Sequence, residues 1–288
     1  CVSCIGWQMG NAIMTDRPSF TNQQINTIVP NGKVDPSFLF YSLLPRKEEL
    51  LSLGSATGVR TPILNKSAFS NLTVKLPPLP VQRRIAGILS AYDELIENNQ
   101  RRIRILEAMA RALYREWFVH FRFPGREDRP RVPSPLGEIP EGWEVKQVPD
   151  CVHINPRIRL SRESEDPFVP MGCLSNDSML ITGIESRAGN SGSKFQNGDT
   201  LFARITPCLE NGKTGFVQFL PSEDAVARGS TEFIVLRSNT LTPEFVYCLA
   251  RSDEFRAVAI KSMTGASGRQ RVQQQCFGDL KIVQPSRA

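Results

Sequence analysis

Ten positions within residues 81–121 recur at alternating steps of four and three: Ile85, Leu89, Tyr92, Ile96, Asn99, Ile103, Leu106, Ala110, Leu113 and Trp117. Such spacing is the seam of a coiled coil. It predicts one unbroken helix about 60 Å long at a rise of about 1.5 Å per residue. Pro77, Pro78 and Pro80 bar helix before Val81, and Pro124-Gly125 ends it. The faces beside the seam carry Arg101, Arg102, Arg104, Arg111 and Arg115 with Asp93, Glu94, Glu97 and Glu107, the pattern of a solvated surface. A helix of this length cannot bury its stripe against itself, so a partner helix is expected. Asn99 falls on the seam, where it either pairs with a polar group opposite and fixes register or points to water.

The segments flanking the helix echo each other about 207 residues apart. Val34-Asp35-Pro36-Ser37-Phe38-Leu39-Phe40-Tyr41 runs parallel to Leu241-Thr242-Pro243-Glu244-Phe245-Val246-Tyr247-Cys248, and in each the proline suits the first turn of a short helix. Ser55-Ala56-Thr57-Gly58 answers Ser262-Met263-Thr264-Gly265 as a glycine-bearing turn. The stretches 69–77 and 277–285 both read as edge strands closed by proline, and Asn26-Thr27-Ile28-Val29 lies opposite Glu232-Phe233-Ile234-Val235. Two copies of one domain type are therefore expected. The first is short at its start by roughly 60 residues on this offset, and the second stops where a second long helix would begin. Runs rich in β-branched and aromatic residues at 145–148, 167–171, 179–184, 200–205, 215–219 and 231–236 predict strands in the second copy. Asn197-Gly198-Asp199 and Asn211-Gly212-Lys213 are hairpin-type turns. The predicted class is α+β: mixed α/β domains, mainly short strands with a few helices, joined by a long coiled-coil-type helix. The predicted boundaries are 1–78, 79–124 for the helix, 125–142 for a linker rich in Pro, Gly and Arg, and 143–288.

The 288 residues carry a net charge of +6, with 40% hydrophobic and 22% charged residues, as in a globular protein. No apolar run approaches 18 residues, so no membrane span is expected. The excess of positive charge hints at a polyanion partner, but residues 136–288 hold 17 basic against 18 acidic side chains, so any phosphate-binding face there must be local. The seven cysteines are irregularly spaced, as expected of reduced thiols in a cytoplasmic protein. Cys1-x-x-Cys4 has no second ligand pair to complete a zinc site, and neither metal nor cofactor is expected.

The run Leu76-Pro77-Pro78-Leu79-Pro80-Val81-Gln82-Arg83-Arg84-Ile85-Ala86, then Asp93-Glu94-Leu95-Ile96-Glu97-Asn98-Asn99 and Arg115-Glu116-Trp117-Phe118-Val119-His120-Phe121-Arg122-Phe123-Pro124, resembles the central conserved region of the specificity (S) subunit of type I restriction–modification enzymes. Gly137-Glu138-Ile139-Pro140-Glu141-Gly142-Trp143 resembles the entry to that family's second target-recognition domain. Gly198 to Pro207 and Gly229-Ser230-Thr231-Glu232-Phe233 resemble strands within it. The resemblance implies two target-recognition domains that each read half of a split double-stranded DNA site and are held apart by two long antiparallel helices. It also implies docking of methyltransferase (M) subunits and, through them, motor-nuclease (R) subunits. The chain departs from the family pattern in its incomplete first recognition domain and in the lack of the distal helix. A bare seam would then favour self-association, as an antiparallel dimer, and a scaffold that reads no DNA is the alternative function.

Sequence reading needs donors and acceptors aimed at base edges, with basic and hydroxyl groups on phosphates. Loops of the second copy offer Arg187, Asn190, Ser191, Ser193 and Lys194, then Arg204, Thr206, Asn211 and Lys213, then Arg228 and Ser230. The turn 264–271 adds Ser267, Arg269, Gln270 and Arg271, where Gly265 and Gly268 permit close backbone approach. An enzyme is not expected. Asn155-Pro156-Arg157-Ile158 lacks the second proline and the aromatic of a methyltransferase motif, no glycine-rich cofactor loop precedes it, and His120 and His153 stand without catalytic partners.

Overall fold

The computed structural model describes residues 1–55, 61–125, 129–159 and 165–285. The chain divides into two compact units, 1–101 and 102–288, and the long helix contributes to both. The architecture is α+β, with short helices and small sheets alongside the long helix.

That helix runs α-helically from Leu79 to Tyr114 and continues as a π-helical turn over Arg115–Val119. It begins at the predicted boundary of 79, two residues before Val81, although the prolines are expected to bar helix there. The N–H groups of the first turn have no intrahelical acceptor, so Pro80 costs nothing there. Val81 N and Gln82 N both donate to the Pro78 carbonyl, at 2.9 and 3.1 Å. The seam is largely exposed: Tyr92 and Leu106 keep 64% and 62% of their surface, and Ile85, Leu89, Ile96 and Leu113 are exposed with them. Asn99 and Ala110 are exposed too, whereas Ile103 and Trp117 are half-buried. Among the described residues the next longest helices have nine residues, so none matches this stripe in length. The stripe is also wider than the predicted seam, because Ile88, Leu95, Ile105 and Met109 stand exposed beside it.

In unit 1, Asp35 caps the helix Pro36–Leu43 by accepting from Phe38 N, with Pro36 at its first position. A second helix, Lys47–Ser55, follows. Residues 56–60 of the predicted glycine-bearing turn lie outside the described residues. Residues 66–70 form a short helix instead of strand, capped by Asn65, and 73–76 are unpaired coil. A two-stranded sheet joins Val2–Ser3 to Ile25–Asn26. Met9, Leu50 and Leu64 form the centre of the core.

In unit 2, Thr242 caps the helix Pro243–Arg251 and Ser252 caps Asp253–Lys261. One four-stranded sheet has the order Thr214–Phe216, Thr200–Ala203, Phe233–Ser238, Val152–Ile154. A second has the order Glu185–Ala188, Glu165–Val169, Ala227–Gly229, Ser193–Phe195. Lys281–Gln284 pairs with Glu144–Gln147 at the edge. The strand predicted at 179–184 is reduced to one bridge, Leu174↔Ile181, and the strand comes later. Gly198, with φ +85°, does not close a hairpin, because the strands on either side of it belong to different sheets. Neither is 211–213 a two-residue turn: residues 205–211 coil helically, with Leu209 N donating to Ile205 O and Asn211 N to Pro207 O. The expected linker contains a hairpin, Arg131–Ser134 with Gly137–Pro140.

Glu107, predicted on the solvated face of the helix, is 7% exposed. It accepts from Ser178 Oγ at 2.8 Å and from Met179 N at 3.0 and 3.1 Å. Two and three turns on, Tyr114 and Phe118 pack edge-on against Phe245, and Trp143 stacks on Phe123.

Candidate nucleic-acid interface

The echo is a shared backbone frame, visible bond by bond. Cys4 N donates to Gln24 O in unit 1, and Arg204 N to Glu232 O in unit 2. Gly6 N reaches Pro62 O, and Thr206 N reaches Gln270 O. Leu64 N reaches Cys4 O, and Val272 N reaches Arg204 O. The bridge Ile5↔Ile63 answers Ile205↔Arg271. The strand pair Val2↔Asn26 answers Phe202↔Ile234. Asn26 therefore occupies the place of Ile234, two residues on from the alignment expected from the sequence. Hydrophobic identity alone could not detect that slip; only the hydrogen bonds fix it.

On this frame unit 2 builds a polar rim from three segments. Arg271 donates to Glu232 as a fork, with Nε 2.9 Å from both carboxylate oxygens and Nη2 2.7 Å from Oε1. Arg204 Nε lies 3.9 Å from the same carboxylate. The guanidinium of Arg271 holds the Glu232 carboxyl below its ordinary range, and the carboxylate in turn raises Arg271. Ser230 Oγ accepts from Glu232 N at 3.1 Å, which steadies the turn. Arg271 and Thr264 exchange backbone hydrogen bonds and close the loop that holds Ser267 and Arg269, both exposed. Beyond Ser230 the rim passes into a shallow cavity of about 310 Å³, lined by Phe168, Arg187, Ser191, Ser230 and Thr231. There Arg187 lies 4.0 Å over the Phe168 ring, a cation–π contact that holds the guanidinium at the surface.

The structure thus brings Arg187, Ser191, Arg204, Thr206, Ser230, Gln270 and Arg271 onto one continuous rim, with Ser267 and Arg269 on the loop above it. Thr206 donates its hydroxyl to Glu210, and Gln270 is half-buried. Other candidates fall elsewhere. Arg228 is 1% exposed; its guanidinium meets Asp166 and the Arg187 carbonyl inside the fold, so it cannot reach a ligand. Lys213 turns inward, donating from Nζ to Leu174 O at 2.6 Å. Lys194 and Ser193 are half-buried on the strand paired with residues 227–229, where Ser193 Oγ donates to Phe233 O. Asn211 and Asn190 are exposed on separate loops.

The sequence reading passed over Glu232, whose role depends on residues 28 and 39 positions away and leaves no local signal. Arg251 was missed for the same reason. It donates to the carbonyls of Asn176, Gly212 and Ser178 and to Tyr247 Oη, and so fastens the loop that follows Thr206. Among the described residues no group of His, Cys, Asp and Glu is placed to hold a metal ion.

The architecture is thus that of two α+β units with a common backbone frame and one long seamed helix that contributes to both. Residues 2–108 match the family described as the type I restriction modification DNA specificity domain. The chain is similar to the type I restriction enzyme MjaVIII specificity subunit of Methanocaldococcus jannaschii, 31% identical over 271 residues that make up 90% of this chain and 62% of that protein. It is also similar to the EcoEI specificity subunit of Escherichia coli, 33% identical over 157 residues, 51% of this chain and 26% of that one. Superposition on the crystal structure of a type I restriction–modification system S subunit from M. genitalium covers 99% of this chain and 71% of that one, at 15% identity and a TM-score of 0.47. Residues 2–108 therefore carry the type I restriction modification DNA specificity domain, and most of the chain is similar to a type I restriction enzyme specificity subunit. The chain spans less than two thirds of the length of these two curated relatives.

Proposed function

We propose that this chain is a non-catalytic DNA-recognition subunit of a type I restriction–modification complex, acting in the cytoplasm. In this reading unit 2 reads one half of a split target through the rim from Arg187 to Arg271, and unit 1 carries the corresponding frame for the other half. The observation that carries the reading is the gathering of Arg187, Arg204, Ser230, Gln270 and Arg271, distant in sequence, along one rim on which Arg187 and Arg271 are exposed and the others half-buried. Cationic and amide side chains held by a rigid frame supply the donors that base edges and phosphates require. The long helix sets the gap between half-sites and offers its apolar stripe to methyltransferase subunits, which bring the motor-nuclease subunits. The predicted boundaries, with recognition domains at 1–78 and 143–288 around a helix at 79–124 and a linker at 125–142, belong to the same proposal.

Selection from a random duplex pool tests it: enrichment of a split motif is expected, and indifference to sequence sinks it. The exposed seam favours a second reading, in which two copies pair antiparallel through their helices as a scaffold. Light scattering that shows a clean monomer at micromolar concentration would remove that reading.

A further inference from the structure

The two units share a backbone frame but differ at its centre. Unit 2 places Arg204, Glu232 and Arg271 there, and unit 1 places Cys4, Gln24 and Ile63 at the hydrogen-bonded equivalents. The frame forms in unit 1 without any of the three charges, so the charges are not what holds it. Partly exposed ion pairs also add little stability; Arg271 keeps 44% of its side-chain surface and Arg204 keeps 30%. A charged triad that the fold does not require, on the rim that gathers the candidate contacts, has another task.

The geometry of the fork indicates that task. Glu232 takes Nε–H and one Nη2–H of Arg271. Of the five guanidinium donors, both on Nη1 and the second on Nη2 remain. One hydrogen from each of these nitrogens forms the parallel pair that matches guanine O6 and N7 in the major groove. The carboxylate removes the rotational freedom of the arginine, so less entropy is lost on contact. It also cancels one of the two positive charges at this point, which lowers sequence-independent attraction to phosphate. We infer that Arg271 reads a guanine in the half-site of unit 2 and that Glu232 is its positioning residue. The inference rests on the reading of the chain as a DNA-recognition subunit.

The test uses the full chain, alone and assembled with a methyltransferase subunit, in selections from a random duplex pool at two salt concentrations. Arg271→Lys keeps the charge and loses the fork. It is expected to lower the preference for guanine at one position by about 10- to 100-fold while preferences elsewhere persist. Glu232→Gln is expected to weaken the preference at that same position and to strengthen binding to unrelated duplexes, a gain that a merely structural defect would not produce. Both variants are expected to melt with the wild type, because the frame stands without the triad in unit 1. Weakening of all sequences alike by Arg271→Lys would mean a phosphate contact and overturn the inference. So would selection by both variants of the wild-type motif. A wild-type chain that enriches no motif would overturn the functional reading itself, which separates the two failures.

Discussion

Replacing Glu107 by alanine tests how the long helix is fixed to unit 2. The carboxylate is almost wholly buried and receives two donors, the Ser178 hydroxyl and the Met179 amide. Hydrogen bonds to a charged group contribute roughly 1.5–3 kcal/mol each. Ser178 and Met179 are half-buried, so water recovers part of that loss in the variant. The Arg111 contact, at 3.4 Å and partly exposed, adds little. The expected cost is therefore about 2–3 kcal/mol, against about 1 kcal/mol for glutamine, which keeps one acceptor and loses the charge. Urea unfolding followed by the fluorescence of Trp117 and Trp143, both in unit 2, should show a midpoint about 1 M lower at an unchanged slope. Hydrogen exchange at the Met179 amide should accelerate in the alanine variant. A midpoint within about 0.2 M of wild type, with Met179 still protected, would refute the assignment of Glu107 as the anchor.

Tyr41 donates its hydroxyl to Asp93 at 2.7 Å, and that bond, with burial and the neighbouring charge of Asp93, pushes the phenol up to about 12. The neutral form is favoured in the folded state, so the stabilisation is complete below the ordinary phenol value near 10 and is lost as pH rises toward 12. Burial also raises Tyr114 and Tyr247, so spectrophotometric titration at 295 nm should show several late tyrosines, of which one moves toward 10 in Asp93→Ala while the other two stay late; no movement would exclude the bond. Gly229→Ala would place a Cβ 2.8 Å from the Val169 carbonyl and 2.7 Å from the Phe233 ring, so a loss of about 1–3 kcal/mol is expected in thermal melts, and a neutral result would mean the strand yields freely. Inserting one heptad after Asn99 should lengthen the tolerated gap in the DNA target by about 10 Å, or about three base pairs; an unchanged gap would discredit the helix as a spacer.

What could be read from the sequence follows the range of the interactions. Helix periodicity, the proline at the first turn of Pro36–Leu43 and Pro243–Arg251, and the recurrence of those helices are local signals, and the structure carries all three. The recurrence suffices to announce two copies of a frame. It does not fix their register, because the pairing of Val2 with Asn26 depends on a strand partner 24 residues away. The same limit explains the site. A basic residue in a polar loop reads as a surface contact whether it faces out, as Arg187 does, or in, as Arg228 and Lys213 do. Only the tertiary packing distinguishes them: Arg228 sits on an inner strand of a four-stranded sheet, between Lys194 and Phe168, with its side chain on the buried side.

The helix shows a different limit, since there the local signal was real but incomplete. Steps of four and three can be threaded through its apolar positions twice. One thread passes through Ile85, Leu89, Tyr92 and Ile96, and another through Val81, Ile85, Ile88, Tyr92 and Leu95, sharing every second member. A single partner helix packs its knobs along one seam. A stripe three positions wide needs packing from two directions, as in a bundle. An antiparallel pairing of two copies would cover one thread and leave Leu95 and Met109, or Leu89 and Ile96, exposed on the other. On the proposed reading, self-association and the docking of partner helices would draw on different residues of the same helix. Leu95→Glu and Ile96→Glu, measured separately for dimer formation and for capture of a methyltransferase subunit, should not lose both together; a variant that abolished both equally would show that the stripe works as a single seam.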